Sequence, residues 1–323
     1  MSLPNVAQTA ALTAAAGGEA KRLTTGDGTN YVSTYSPAVN ETLPTFLLLH
    51  GYPSSRHDWR YQLGALAQLG YGVLAPDMLG MGDSEKPTNL EAYRSKRISG
   101  HLKELVDQES LGKVIGFSGL VFLSSSYFPP GVFFDVEATN RRTLGTLGYT
   151  QFGYWYFFNS FDAGMLMSEN LESFFHLLYH ADAAQWGQNF AMIGAARAWL
   201  KANKNQPLPT WLTEEDKSLW LHLYSQPNAT EAPLSYYRAV MRGIFEEDEA
   251  GLSNEDKMLR VPVVAVSAAK DQICIPEEMT AITKPWTTND YTEYLLDAGH
   301  WVMLEQKGKV TSILPEFARS LTA

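Results

Sequence analysis

The stretch Thr45-Phe46-Leu47-Leu48-Leu49-His50-Gly51-Tyr52-Pro53 decides the fold of this chain. Its first five residues are almost all apolar, a pattern typical of a strand buried on both faces of a parallel sheet. The run stops at His50–Pro53, where glycine permits a tight turn and proline fixes φ and removes a hydrogen-bond donor. Such a turn leaves backbone N–H groups free at the carboxyl edge of the sheet, where open α/β folds bind ligands.

The flanking sequence alternates between strand and helix patterns. Before the central stretch, Lys21–Ser36 reads as an antiparallel hairpin at a sheet edge. After it, Ser54–Leu69 has helical periodicity, Tyr71–Ala75 is a second apolar strand, and Tyr93–Val106 is a second helix. This order predicts a mostly parallel sheet with right-handed crossovers.

Composition narrows the class of protein. The 323 residues are 45% hydrophobic and 19% charged, which favours a packed globular core. A net charge of −10 argues against nucleic acid or an anionic membrane as a partner. The single cysteine, Cys274, excludes a disulfide within the chain and a cysteine-based metal site. We find no membrane-spanning run and no signal-peptide pattern, so we expect a cytoplasmic protein.

Two motifs carry a resemblance to a known family. The turn His50–Pro53 is followed, after the next strand, by Asp77-Met78-Leu79-Gly80-Met81-Gly82-Asp83-Ser84. Together they resemble the α/β-hydrolase fold, in the variant of the epoxide hydrolases, and the likeness extends over residues 21–323. It implies a mostly parallel sheet flanked by helices, with an inserted helical lid. It also implies that the Tyr52 N–H contributes to an oxyanion hole and that the bond before Pro53 is often cis.

The family's nucleophile segment is missing from this chain. The resemblance calls for a strand, a nucleophile on a sharp turn, a helix and another strand, with aspartate as the nucleophile. Here Lys113–Gly116 reads as the start of the first strand and Ser118–Ser124 as the second, with almost nothing between them. A parallel crossover needs about a dozen residues. We therefore infer a deletion of roughly 20–25 residues, which a skipped exon, a faulty gene model or a true truncation would each produce.

Ser118 is a weak candidate for a replacement nucleophile. It lies in Gly116-Phe117-Ser118-Gly119-Leu120, which resembles a G-x-S-x-G elbow. The last position is leucine, however, and a strand pattern follows where a helix should. The sequence therefore favours a strand serine at this position.

Residues 139–245 are helical and rich in aromatic side chains, and the resemblance identifies them as the lid. In the family, two lid tyrosines donate protons to the epoxide oxygen, and Tyr154 and Tyr237 match them, with Tyr236 as the fallback for a register error. A phenol at neutral pH is a suitable donor to an opening epoxide. The aromatic lid also suggests a lipophilic substrate pocket.

Two polar residues follow the last two predicted strands. Asp271 comes after Val261–Ser267, and His300 comes after Tyr291–Asp297. Their chain order is that of the α/β hydrolases. The resemblance makes His300 the catalytic base and Asp271 the acid that orients it.

These observations lead to one main hypothesis and two alternatives. The main one is an epoxide-hydrolase-like chain without competent catalysis, with a flexible tail at 1–20, a core of 21–138 and 246–323, and a lid at 139–245. The first alternative is a serine esterase using Ser118. The second is a non-catalytic lipophile-binding module, whose affinity would not depend on His300. We expect a small lipophilic substrate and neither a cofactor nor a metal ion.

Overall fold

A computed structural model describes residues 19–109 and 116–321 of the chain. Their contacts form two compact units. The first takes in residues 19–109, 116–117, 218–235 and 307–321, and the second takes in 118–217 and 236–306. The predicted tail lies outside the described residues, except that Glu19 and Ala20 begin the first strand.

The first unit contains a four-stranded sheet in the order β1-β2-β4-β3. Its strands are β1 Glu19–Thr24, β2 Asn30–Ser36, β3 Thr45–Leu47 and β4 Gly72–Pro76. Strands β1 and β2 pair antiparallel with β1 at the edge, so the hairpin prediction is confirmed. Asp27 closes its turn by accepting hydrogen bonds from Thr25 and Thr29. Strands β3 and β4 pair in parallel, as the crossover between them requires.

Strand β3 corrects the first sequence prediction. It is three residues long and half-buried, where the apolar run predicted a strand buried on both faces. Among residues 19–109 and 116–321, the strand that pairs with it is β4. Leu49, expected at its end, lies outside it with 41% of its surface exposed. In the part of the chain that the structure describes, β3 thus has a neighbouring strand on one side, which leaves its apolar run incompletely covered there.

The predicted helices of the first unit are present with shifted ends. A 3₁₀ turn, Arg56–Trp59, leads into α1 Arg60–Gln68, and α2 is Ser95–Gln108. Leu63 and Leu66 on α1 are buried, as the periodicity predicted. The helix ends at Gln68, and the chain turns away at Gly70, whose φ of +87° is the left-handed conformation that glycine adopts at little cost.

The second unit contains a three-stranded, fully parallel sheet in the order β5-β6-β7. Its strands are β5 Leu120–Leu123, β6 Val263–Ala268 and β7 Tyr291–Leu296. All three overlap predicted strands, and the central strand β6 is buried throughout. The other predicted strand, Lys113–Gly116, lies outside the described residues apart from Gly116, which is not in a strand.

Helices make up most of residues 136–249, so the helical prediction for 139–245 is confirmed; its action as a lid stays a prediction. These helices are α3 Val136–Leu147, α4 Tyr154–Phe158, α5 Ala163–Glu169, α6 Leu171–Leu178, α7 Ala195–Lys201, α8 Glu214–Tyr224, α9 Leu234–Met241 and α10 Glu246–Glu249. The remaining helices are α11 Pro276–Thr283, α12 Val302–Glu305 and α13 Lys307–Ser320. Among the helices of residues 19–109 and 116–321, none has the length and apolar character needed to cross a bilayer.

The loop after β4 is organised by a buried carboxylate. Asp77 is completely buried and forms an ion pair with Arg56, which also binds Asp83 at 2.8 Å. Asp77 accepts further hydrogen bonds from the backbone N–H groups of Arg56 and Asp83. Gly82 has a φ of +54°, and a Cβ atom there would lie 2.1 Å from the Asp77 carboxyl carbon. The glycine is required because only a residue without Cβ lets the loop wrap this closely around the carboxylate.

We therefore expect Gly82→Ala to destabilise the protein by roughly 2–4 kcal/mol, through steric overlap with Asp77 and left-handed strain. Gly28→Ala is the matched control, because Gly28 has a φ of +89° but no atom lies within 4 Å of the place that an added methyl group would take. Strain alone should make that change cost about 1 kcal/mol. Urea unfolding of both variants measures the difference. Equal losses in the two variants would show that the overlap with Asp77 does not matter.

Candidate active site

Asp271 and His300 meet at one edge of the three-stranded sheet. Asp271 follows β6 and His300 follows β7, and because neighbouring parallel strands end at the same edge, both lie there. His300 Nδ1 lies 2.7 Å from Asp271 Oδ2. The other carboxylate oxygen, Oδ1, accepts hydrogen bonds from the backbone N–H groups of Ile273 and Cys274. The Asp271 carboxylate is thus fixed by its own loop and oriented towards His300.

The hydrogen bond to Asp271 determines which His300 nitrogen is available. A carboxylate accepts hydrogen bonds, so Nδ1 carries the hydrogen in the neutral ring and Nε2 keeps a lone pair. The ring packs against Trp186 and Trp301, with centroid distances of 4.9 and 5.0 Å. Its side chain remains 22% exposed. This is the arrangement of an oriented base that a small molecule can reach.

Tyr154 and Tyr237 lie side by side on α4 and α9. Their ring centroids are 6.0 Å apart, and Tyr154 also stacks on Phe190 at 4.3 Å. Arg238, the neighbour of Tyr237, ties the two helices together by donating hydrogen bonds to the carbonyl oxygens of Phe158 and Ser160. The ring that contacts Tyr154 is therefore that of Tyr237, which was the first choice from the sequence.

Both phenols stay protonated across the neutral range. Burial raises the pKa of Tyr154 well above its usual value, and Tyr237, Cys274 and Asp271 raise it further. Burial and then Cys274 raise the pKa of Tyr237. Tyr154 stacks on Phe190, Phe190 lies 5.3 Å from Trp186, and Trp186 packs on His300, so a continuous series of ring contacts connects this phenol to the base. Two protonated phenols near an oriented base can donate to an oxygen that gains negative charge.

Cys274 belongs to the same group of side chains, and the sequence prediction missed it. Its Sγ, a carboxylate oxygen of Asp271 and a ring nitrogen of His300 all lie within 4.8 Å of one another. Burial raises the pKa of the thiol well above its usual value, and Asp271 and Glu278 add to this. The signal in the sequence was its position three residues after Asp271. At that distance along the loop, its backbone N–H donates a hydrogen bond to the same carboxylate.

Asp271, Cys274 and His300 are also ligand types that transition metals use. Asp271 and His300 are already joined by their own hydrogen bond, and both Asp271 oxygens are engaged. We therefore interpret the cluster as a hydrogen-bonded dyad with an adjacent thiol.

A small cavity of about 10 Å³ adjoins His300. This volume holds about one water molecule. Beside it, Glu305 accepts hydrogen bonds from the N–H groups of Gly299 and Trp301, which fixes the loop that carries His300. The cavity is lined by Leu178, His180, Ala183, Trp186, Lys270, Gln272, His300, Trp301 and Glu305.

Comparison with known proteins identifies the family. The sequence profile of the alpha/beta hydrolase family matches residues 46–311. The chain belongs to the alpha/beta hydrolase family.

Epoxide hydrolases are among its relatives, as the motifs predicted. The chain is 28% identical to epoxide hydrolase A of Mycobacterium tuberculosis, with 86% of this chain and 91% of the relative aligned. It is 26% identical to epoxide hydrolase srdG of Neurospora crassa, with 84% of this chain and 86% of the relative aligned. Against the bifunctional epoxide hydrolase 2 of Sus scrofa, identity is 23%, and the match takes in 85% of this chain but 51% of the relative. The chain thus spans about half the length of such bifunctional relatives.

Solved structures confirm the α/β-hydrolase fold. Epoxide hydrolase A from Mycobacterium thermoresistibile superposes with a TM-score of 0.73 at 22% identity, covering 94% of this chain and 98% of the other. An epoxide hydrolase from an endophytic Streptomyces superposes with a TM-score of 0.71 at 22% identity, covering 95% of this chain and 96% of the other.

In this hydrolase, Ser118 is not brought to the dyad. Leu120 of β5 pairs with Val263 at the start of β6, so Ser118 precedes the amino end of the sheet. Asp271 and His300 follow the carboxyl ends of their strands, and a strand of five or six residues separates the two edges by roughly 17–20 Å. Ser118 is also solvent-exposed in a bend. A serine that attacks with His300 as its base must lie within hydrogen-bond reach of it, and this one does not.

Ser124 is the serine at the carboxyl end of β5. It is buried, has a φ of +44°, and its Oγ has no hydrogen-bond partner among the described residues. Such backbone strain is uncommon outside glycine and clusters at functional sites. The local sequence Ser124-Ser125-Ser126 did not predict this conformation, because nothing in it distinguishes the first serine from the other two.

The predicted oxyanion turn lies in the first unit. The peptide bond between Tyr52 and Pro53 is cis, as the resemblance implied. Trp220 donates from its indole N–H to the Pro53 carbonyl at 3.0 Å, and the Tyr224 ring lies 6.1 Å from that of Tyr52. The assignment of the Tyr52 N–H to an oxyanion hole stays a prediction.

A buried histidine makes the stability of the hydrolase depend on pH. Burial lowers the pKa of His180 to about 4 in the folded state, from an ordinary value of 6.5. Between these two pH values, His180 is protonated in the unfolded chain and neutral in the folded chain. The free energy of unfolding therefore falls as the pH falls from about 6.5 to 4. The difference between the two pKa values corresponds to about 3 kcal/mol of folding stability. We expect urea unfolding at pH 7.5 and 4.5 to show this loss, and His180→Gln to reduce it. An unchanged pH profile in the variant would exclude His180 as the cause.

Proposed function

We propose that this α/β hydrolase binds lipophilic epoxides at Tyr154 and Tyr237 but does not turn them over, because it lacks the nucleophile. The observation that carries the proposal is the 2.7 Å hydrogen bond between His300 and Asp271. The Tyr154 and Tyr237 rings pack together, and Phe190 and Trp186 connect Tyr154 to His300. These groups match the base, the orienting acid and the proton donors of an epoxide hydrolase. The similarity to epoxide hydrolases over most of the chain supports the substrate class.

The chemistry assigns one role to each residue. In the epoxide hydrolases an aspartate attacks the epoxide carbon while two tyrosines protonate the oxygen, and a water activated by histidine then hydrolyses the ester. In this chain Tyr154 and Tyr237 would hold the epoxide oxygen through hydrogen bonds. Asp271 orients His300 as in the family, but without a nucleophile no ester forms for a water activated by His300 to hydrolyse.

The chain between α2 and β5 is too short to contain the nucleophile segment. Helix α2 ends at Gln108 and β5 begins at Leu120, which leaves residues 109–119 to connect them. A strand, a nucleophile turn, a helix and a return loop need more residues than these eleven, since the crossover alone takes about a dozen. The match to the M. tuberculosis relative extends over 310 positions but takes in 86% of the 323 residues of this chain, which is about 278 residues. The alignment therefore includes positions that this chain leaves empty.

Binding of an unreactive ligand tests the proposal. An unstrained cyclic ether such as 2-phenyltetrahydrofuran accepts the same hydrogen bonds as an aromatic epoxide but does not open. We expect saturable binding by equilibrium dialysis. Tyr154→Phe and Tyr237→Phe should each weaken it about fivefold, because one hydrogen bond contributes about 1 kcal/mol net.

The neighbouring Tyr156 provides the matched control. It lies on the same helix but is 38% exposed, so Tyr156→Phe should leave the affinity unchanged. Absence of saturable binding, or equal losses in the Tyr154 and Tyr156 variants, would contradict the proposed role of the phenols.

A further inference from the structure

The only cysteine of the chain lies in a cluster that offers a nucleophile, a base and two acids. The Cys274 sulfur is within 4.8 Å of both an Asp271 oxygen and a His300 ring nitrogen. Ring contacts through Phe190 and Trp186 connect Tyr154 to His300, and Tyr237 packs against Tyr154, so both phenols belong to the same packed group of side chains as His300. The cluster thus contains every group that opening an epoxide requires.

We propose that Cys274 is a single-use acceptor for epoxides, whose sulfur opens an epoxide held by Tyr154 and Tyr237 and keeps the alkyl group. The inference rests on the proposed function, because the epoxide must first bind at the two phenols. It adds a covalent modification site and a stoichiometric activity to a chain that lacks the usual nucleophile.

The step balances without any additional reactant. The thiol proton passes to a lone pair of His300 while sulfur attacks an epoxide carbon, so one C–S bond forms and one C–O bond breaks. A tyrosine phenol donates its proton to the released oxygen, and the imidazolium formed on His300 or solvent restores it. The net result is thiol plus epoxide giving a β-hydroxy thioether, with no oxidation or reduction.

The surroundings of Cys274 make this reaction selective. Because burial raises the pKa of the thiol, it carries its proton at neutral pH and is a poor nucleophile towards electrophiles in general. It becomes reactive when His300 accepts the proton as the epoxide oxygen gains charge. That coupling requires the ligand to be hydrogen-bonded to the phenols.

The reaction also stops after one event. An ester formed on aspartate has a carbonyl carbon that an activated water can attack. A thioether has none, so the water activated by His300 cannot release the product. One equivalent of epoxide per chain is therefore the limit, and the modified chain is the end product.

Intact-protein mass spectrometry tests the proposal on the full-length chain. Incubation with styrene oxide should add the mass of one epoxide, and peptide mapping should place it on Cys274. We expect His300→Gln and Tyr154→Phe to slow adduct formation at least tenfold, in line with general acid–base contributions. Tyr156→Phe should leave the rate unchanged.

A second probe separates chemistry from packing. Iodoacetamide alkylates thiols without needing a proton donor on oxygen, so Tyr154→Phe should slow styrene oxide while changing the iodoacetamide rate less than about twofold. An unmodified Cys274 in a protein that still binds 2-phenyltetrahydrofuran would overturn this inference and leave the proposed function standing. Loss of ether binding would overturn both. An adduct on another residue, or equal epoxide rates in Tyr154→Phe and wild type, would also overturn the inference.

Discussion

Purified protein incubated with an aromatic epoxide is expected to produce no diol beyond the uncatalysed rate. The expected deficit relative to epoxide hydrolase A of M. tuberculosis is about 10⁴-fold or more, because loss of a member of a catalytic group removes effects of this size. Eleven residues, 109–119, connect α2 to β5, which leaves no room for a nucleophile turn and its helix. The carboxylate beside His300 belongs to Asp271, and both of its oxygens are engaged.

The control is the His300→Ala variant, assayed beside the wild type and the M. tuberculosis enzyme. Diol formation that continues past one equivalent and that His300→Ala abolishes would show that a nucleophile survives in this chain. A fluorophosphonate that labels wild type but not Ser118→Ala would revive the serine esterase alternative. Labelling lost only in Ser124→Ala would assign that chemistry to the strained serine after β5.

Asp77→Asn is expected to reduce the free energy of unfolding by roughly 3–5 kcal/mol, which is much of the stability of a typical domain. Asp77 is fully buried and Arg56 nearly so, and removing the negative partner leaves the guanidinium with only the partly exposed Asp83. Asparagine keeps the shape of the side chain and can still accept a hydrogen bond from the Arg56 N–H. The loss therefore measures the uncompensated charge.

Asp83→Asn is the matched control in the same network. Asp83 binds the same Arg56 at 2.8 Å, but its side chain is 29% exposed, so water can replace it. We expect a loss of about 1 kcal/mol or less. Chemical denaturation of the two variants at neutral pH compares them directly. Similar losses would mean that the burial of Asp77 adds nothing to the importance of the pair.

The sequence by itself determined the family motifs and the local elements. Turn chemistry and apolar spacing account for the hairpin turn at Asp27, for the turn at Gly70 that follows helix α1, and for the buried strand β6. These are short-range effects, and short-range patterns are what a single sequence records. The order of Asp271 and His300 after two strands likewise predicted their meeting, because parallel neighbours end at one edge.

Only the tertiary structure decided which side chains join that pair. Apolar spacing predicted β3 to be buried on both faces, but the burial of a strand depends on neighbours far away in the chain. Within the described part of the chain β3 is half-buried and pairs with β4. Cys274 had no motif, and it enters the site because the Asp271 loop turns its backbone N–H onto the carboxylate. Ser118 had a motif, yet the register of β5 against β6 places it at the opposite edge from His300. Proximity between distant residues is set by strand register and packing, and neither is a property of the local sequence.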